Sequence, residues 1–370
     1  MDSREQTLFE PATAVYPGEV VSEYLEYHGW AQRELARRSG LTPKTISEIC
    51  SGNAPITPPT ALALEKVFQR PAHLWLTLQS HFDEFEARQR QQVSQNKWTE
   101  WVLEFPLKDM KRLKFSVPSR QSDVESLLNF FGVSSPDSWQ SVWDASAVAY
   151  RQTRQFRTSQ GAMAAWVRET EIVAMELQLR EFDEQLLRSS IGEMRQLTCK
   201  RTDEIMDPLQ SICARAGVAV VLVPALPQTG ISGCSRWLGN RGGLIGLTMR
   251  YKTDDQLWFT FFHELGHLLL HRRKRSFVLD NAAETLDDRV VDPEMEAFES
   301  EANAFARDAL IPAKELSEFI RKGVFTNDSI HDFAQDIGVG PGIVVGRLQH
   351  DLILGRHQGN AFKQKLNWTF

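Results

Sequence analysis

The stretch LWFTFFHELGHLLLHRRK, beginning at Leu257, constrains this chain more than any other. Apart from Thr260, His263, Glu264 and His267, the residues from Leu257 to Leu270 are apolar or glycine. A helix of that composition is buried on almost all sides. At about 100° per residue, Thr260, His263, Glu264, His267 and His271 fall within a single arc of about 100°. Histidines and a glutamate placed inside an apolar core need partners, and one metal ion satisfies them together. The HExxH spacing sets His263 and His267 one helical turn apart on one face. Their imidazoles can then hold one Zn2+ per chain, with Glu264 beside the metal to take a proton from its water. A chance HExxH on a surface helix carries mixed charge around its circumference, and this one does not.

A catalytic zinc site needs a third protein ligand and an open position. The segment PEMEAFESEANAFARDALIP, ended by Pro312, reads as a later helix. Phe298, Ala302, Phe305, Ala306, Ala309 and Leu310 form its apolar arc, and Glu299 lies inside that arc. Glu294, Glu296 and Glu301 fall outside it. Glu299 is therefore the expected third ligand, and Glu301 is the runner-up. The small Ala302 and Ala306 let the two helices approach. Asn303, one turn beyond Glu299, is expected to orient it. His271 is read either as a contact behind the metal or to substrate, or as a helix-end histidine favoured by the dipole. Tyr251, shortly before the metal helix, is read either as a partner for a tetrahedral oxyanion or as packing.

Near the other end, WAQRELARRSGLTPKTISEICSGNAPI from Trp30 places Ala36, Gly40, Ile46 and Ile49 at the spacing of a helix-turn-helix. Ala36 permits close helix approach, and Gly40 supplies a left-handed turn. Thr42 caps the second helix with Pro43 at its first position. The second helix of such a motif enters the major groove of double-stranded DNA by its N-terminal end. Thr42, Lys44, Thr45, Ser47 and Glu48 are then the outward candidates for an operator, with Gln32 and Arg33 on phosphates. Arg37 and Arg38 add charge nearby.

Two resemblances rest on these residues. Pro17 to about Arg88 resembles the XRE-type helix-turn-helix of HigA-like antitoxins, through PGEVVSEYL, QRELARRSGLTPKTISEI, the turn SGNAPITPPTALALEKVF and PAHLWLTLQSHFD. That likeness implies a homodimer on a palindromic operator. Roughly Asp207 to Pro312 resembles the ImmA/IrrE family of zinc metallopeptidases. The likeness runs through GVAVVLVPALPQTGISGCSRWLGNRGGLIGLTMRYKTDDQLWFTFF, HELGHLLLH and FESEANAFARDALIP. It implies His263, His267 and Glu299 as ligands and Glu264 as general base. It also implies a helix-turn-helix repressor as the protein substrate. Peptidase and repressor are usually separate chains in that family. Their fusion here leaves open whether the protein cuts a partner, cuts itself, or only senses. The alternative to a peptidase is an antitoxin-like repressor whose metal site is sensory or structural.

A chain of 370 residues with 42% hydrophobic and 24% charged residues suits two or three folded domains. The expected fold is mainly α with a small β-sheet (α+β). It comprises a helix-turn-helix bundle over 1–92, a helical middle region over 93–205, and a zincin-like HExxH domain with a helical tail over 206–370. GVAVVLVP (Gly217 to Pro224) and GGLIGLTM (Gly242 to Met249) read as strands. The net charge of −6 confines any DNA-binding surface to a local patch. The N-terminus lacks the pattern of a signal peptide and no run of about 20 apolar residues exists, so no membrane partner and a cytoplasmic location are expected. Cys50, Cys199, Cys213 and Cys234 suggest free buried thiols rather than a disulfide framework. The polar run from Phe85 to Lys97 reads as a helix continuation or a linker, and as a site for self-cleavage. Trp98, Trp101, Trp139, Trp143 and Trp166 read as core. The tail DFAQDIGVGPGIVVGRLQ has a helix-turn-helix rhythm but few donors for bases, so it reads as packing.

Overall fold

The computed structural model describes residues 14–119, 121–150, 160–227, 229–248, 250, 252–271, 276–280 and 293–366. Two compact units emerge, Met1–Trp98 and Thr99–Phe370. Among the described residues, no helix is long and apolar enough to cross a membrane.

The first unit is built from α1 (Pro17–His28), α2 (Gln32–Ser39), α3 (Pro43–Cys50), α4 (Pro58–Phe68) and α5 (Ala72–Gln95). Its core gathers Val21, Leu35, Ala36, Ile46, Ile49, Leu64 and Trp75. Gly40 ends α2 at φ 72°, the left-handed region expected of it. The Thr42 hydroxyl accepts from the Thr45 backbone N–H at 3.1 Å and caps α3. Thr57, also at a helix start, instead meets the Thr60 hydroxyl at 3.1 Å. The polar run reads out as helix: α5 continues to Gln95, with Glu84–Arg88 and Glu86–Arg90 pairs one turn apart.

The second unit begins with α6 (Thr99–Val102), α7 (Leu107–Arg112), α8 (Asp123–Phe131), α9 (Pro136–Tyr150) and α10 (Gln160–Met175). Next come α11 (Glu184–Ser189), α12 (Ile191–Gln196) and α13 (Met206–Arg215). The sheet is formed by β1 (Val218–Leu222), β2 (Ile231–Trp237), β3 (Gly243–Leu247) and β4 (Ser276–Asp280). Helices α14 (Asp254–Leu270), α15 (Pro293–Leu310), α16 (Ala313–Lys322), α17 (Asn327–Ile337) and α18 (Pro341–His350) complete it. The expected class, mainly α with one small sheet, is the observed one. The helices from α6 to α12 lie within this unit. Trp101, Trp139, Trp143 and Trp166 are all buried, whereas Trp98, also read as core, is half-buried; Trp166 Nε1 donates to the Val223 carbonyl at 3.3 Å.

The sheet order is β1-β3-β2-β4, with β1 and β3 parallel and the other pairs antiparallel. Neighbouring residues on a strand face opposite sides. On β2, Gly233 lies against Thr260 and Glu264 of α14, while Cys234 lies against Thr170 of α10. The sheet is thus covered by α14 on one face and α10 on the other. Cys213 and Cys234 are buried free thiols, but Cys199 is exposed and Cys50 half-buried, which corrects the expectation of four buried thiols.

The tail segment packs rather than presents itself: Ile343, Val344, Val345 and Leu348 of α18 are buried in the common core. A C-terminal segment also clips the start of α14. Thr253 and Lys365 form an antiparallel bridge, and Gln364 N–H donates to Asp254 Oδ1 at 2.9 Å. Burial and the neighbouring Asp255 push the Asp254 carboxyl up to about 6. Lys363 pairs with Asp255 at 2.7 Å. A carboxyl raised in the folded state contributes stability that is complete below about pH 4 and is lost as the pH rises through 6. A carboxyl moved from its usual range to about 6 corresponds to roughly 3 kcal/mol at the limit. Asp254→Asn keeps an acceptor for Gln364 and removes the titration. Its thermal midpoint relative to wild type is therefore expected to rise between about pH 4 and 6 and to level off above that. Parallel profiles for the two proteins would contradict this.

Candidate metal centre and helix-turn-helix surface

Helix α14 is buried along nearly its whole length, including Thr260, His263, Glu264 and His267. The polar stripe is itself buried, divided between the sheet and α15. Glycine makes both approaches feasible. A Cβ at Gly233 would stand 2.6 Å from Thr260 Cγ2 and 3.2 Å from Glu264 Oε1. A Cβ at Gly266 would stand 3.3 Å from Ala302 Cα, where α15 crosses. Ala302 and Ala306 are fully buried at that crossing, as their size requires.

His263, His267 and Glu299 come together between α14 and α15, each offering one ligand atom within 4.8 Å of the others. His263 Nε2 and His267 Nε2 lie 2.9 Å apart. Glu299 Oε2 is 3.2 Å from the first, and Oε1 is 3.3 Å from the second. Two imidazole nitrogens and a carboxylate converging on one point are the donor set of a zinc or related divalent site. Burial holds His267 down to about 4 despite its bond to Glu299, which keeps it in the neutral form a ligand requires. Burial opposes ionisation of Glu299, but the adjacent His263 and His267 outweigh it and bring the carboxyl down to about 2. Burial opposes protonation of His263 too, but Glu299, Glu264 and Asn303 outweigh it and raise its pKa.

The remaining predicted residues fall as follows. Glu264 is buried on the sheet side of α14, over Gly233. Asn303, expected to orient Glu299, has its Oδ1 3.0 Å from His263 Nδ1. His271 sits just past the end of α14, and its Nδ1 stands 3.1 Å from His267 Nδ1. The runner-up ligand, Glu301, points elsewhere and pairs with His271 Nε2 at 2.9 Å. Tyr251 lies outside the described residues. Sequence reasoning missed Gly233 and the His271–Glu301 pair. Small-residue placement signals the first, and a carboxylate two residues after Glu299 signals the second only once the helix crossing is known.

In the first unit, Gln32, Arg33, Thr42, Lys44 and Ser47 are exposed, and Thr45 and Glu48 are half-buried. Lys44 Nζ lies 3.7 Å from Glu48 Oε1. Arg37 and Arg38 both pair with Glu34, at 2.8 and 2.7 Å, which offsets much of the charge expected from them. The Arg38 guanidinium also stacks over Trp30 at 4.2 Å.

An HExxH helix on a small sheet, joined to a helix-turn-helix, defines a peptidase-type domain coupled to a regulator-type domain. Residues 220–349 match the peptidase M78 family model, the IrrE N-terminal-like domain, and residues 21–75 match the helix-turn-helix family model. Over 78 residues the chain is 33% identical to YddM, an uncharacterized HTH-type transcriptional regulator of Escherichia coli, covering 21% of this chain and 83% of the relative. Over 80 residues it is 36% identical to virulence-associated protein I of Dichelobacter nodosus, covering 21% and 74%. A putative antidote protein of a plasmid maintenance system from Nostoc punctiforme is 28% identical, with a TM-score of 0.23 over 23% of this chain and 92% of that one. A HigA-family antidote protein from Coxiella burnetii is also 28% identical, with a TM-score of 0.22 over 22% and 91%. The chain belongs to the XRE-type helix-turn-helix family through its N-terminal unit, and it carries a domain of the ImmA/IrrE-type M78 peptidase family.

Proposed function

We propose that the protein is a DNA-binding transcriptional regulator whose second unit is a zinc-dependent endopeptidase. The convergence of His263 Nε2, His267 Nε2 and the Glu299 carboxylate carries the reading. These three residues would hold one Zn2+ per chain. Bound there, the ion would supply Lewis-acid polarisation of a scissile carbonyl and lower the pKa of a water. Glu264 takes the proton from the attacking water and returns it to the leaving nitrogen. Asn303 and His271 fix the two imidazoles by their Nδ1 atoms. Tyr251 is proposed as a partner for the developing oxyanion.

The protein substrate proposed is a helix-turn-helix repressor or antitoxin-type chain. The protein itself is a second substrate only if α5 opens, because the segment from Phe85 to Gln95 is helical and a peptidase cleft takes an extended strand. The regulator would act in the cytoplasm as a homodimer on a double-stranded operator. The test is to strip the protein with a chelator, restore zinc, and follow candidate repressors and the chain itself by intact mass. Zinc-restored cleavage is expected. A chain that binds zinc but cuts neither would place the metal in a sensory or structural role.

For the first unit, the segment up to about Gln92 is expected to bind a specific duplex, with affinity falling steeply as salt rises. Lys44→Ala with Thr45→Ala is expected to cost specific binding about 10-fold or more, within the roughly 1–3 kcal/mol of a good base contact. Non-specific binding should change little by comparison. Equal loss on both would show that these residues touch only phosphates.

A further inference from the structure

We infer that Glu301, acting through His271, sets how strongly His267 holds a metal; the inference rests on the ligand reading above. Three groups form an unbroken line from the protein surface to the metal centre. Glu301, whose side chain is 60% exposed, contacts His271 Nε2 at 2.9 Å. The His271 side chain is 2% exposed, and its Nδ1 faces His267 Nδ1 at 3.1 Å. The other nitrogen of His267, Nε2, points at His263 Nε2 and Glu299.

For a neutral His271 ring, the direction of every bond in this line follows from one end. An ionised carboxylate only accepts, so His271 Nε2 carries the hydrogen. With one proton on the ring, His271 Nδ1 then holds a lone pair and must accept. His267 Nδ1 therefore donates, which leaves its Nε2 lone pair directed at the metal position. The wrong tautomer of His267 would break the bond to His271 and cover the ligand atom with a hydrogen.

His263 is supported differently. Its Nδ1 faces the neutral carboxamide oxygen of Asn303 at 3.0 Å. Both supports and the third ligand lie on α15, at Glu299, Glu301 and Asn303. One helix thus supplies a ligand to the front of the site, the acceptor behind His263 and the carboxylate that holds His271. Among the described residues, the line behind His267 ends in a charge that reaches solvent, whereas the group behind His263 is a neutral carboxamide. Hydrogen-bond acceptors behind a ligating imidazole raise its basicity and fix its orientation. Glu301 and His271 are accordingly positioning residues that act through His267.

The experiment is zinc affinity of the full chain by chelator competition. His271→Ala removes the acceptor and is expected to weaken zinc about 10- to 100-fold. His271→Asn puts a carboxamide oxygen near the Nδ1 position and is expected to recover most of that loss. Glu301→Gln, at an exposed site that tolerates change, is expected to weaken zinc about tenfold in the natural background. In the His271→Asn background it is expected to change nothing, since the shorter side chain does not reach residue 301. Unaltered affinity for Glu301→Gln would overturn the inference. So would an equal loss in both backgrounds, which marks a general charge effect. Zinc retention by His263→Ala would instead defeat the ligand reading itself, so the two failures are distinguishable.

Discussion

Glu264→Gln is expected to slow peptide-bond hydrolysis by about 10²- to 10⁴-fold while zinc content stays at the wild-type level. The side chain is fully buried on the sheet side of α14, where Gly233 leaves room for it. Glutamine has the same shape, so the packing of α14 on β2 is preserved. It cannot take a proton from water, so the transfer that precedes bond cleavage is lost. Rate and metal content measured on the same preparation separate the two effects. Equal rates for wild type and variant would remove Glu264 from the chemistry.

His263→Ala is expected to reduce bound zinc from about one per chain to near zero, because a three-ligand site with one donor removed holds the ion far more weakly. The two Nε2 atoms and Glu299 are mutually adjacent, so no other donor among the described residues replaces the lost one. The same substitution abolishes any zinc-dependent cleavage. Full retention of zinc, by metal analysis of the purified variant, would show that the ion sits elsewhere.

The sequence made α14 and α15 legible because both carry a strong helical period with polar residues at defined angles. His263, His267 and Glu299 follow from angular placement alone, and the structure brings those three together. Strand β2 was not legible. Its sequence, ISGCSRW, is poor in β-branched residues, since Gly233 is needed where α14 crosses and Cys234 faces α10. Strands β1 and β3 are Val-, Ile- and Leu-rich, and appeared within the segments expected of them. Tertiary partners were harder still. Asn303 lies one turn from Glu299 on the same helix, yet its contact is His263 on the facing one. Periodicity states which face of a helix is buried, not which atom waits on the other side. The Trp-rich helices show the same limit: Trp166 reads as core from its neighbours, but only the fold shows the Val223 carbonyl that it meets.

The most direct measurement is zinc X-ray absorption on the wild-type protein loaded with one equivalent. The expected spectrum contains two imidazole nitrogens, one carboxylate and one oxygen from outside the chain. That open position is what distinguishes a catalytic site from a structural one. A fourth protein ligand, or any sulfur from Cys50, Cys199, Cys213 or Cys234, would contradict the assignment of this centre as a peptidase active site.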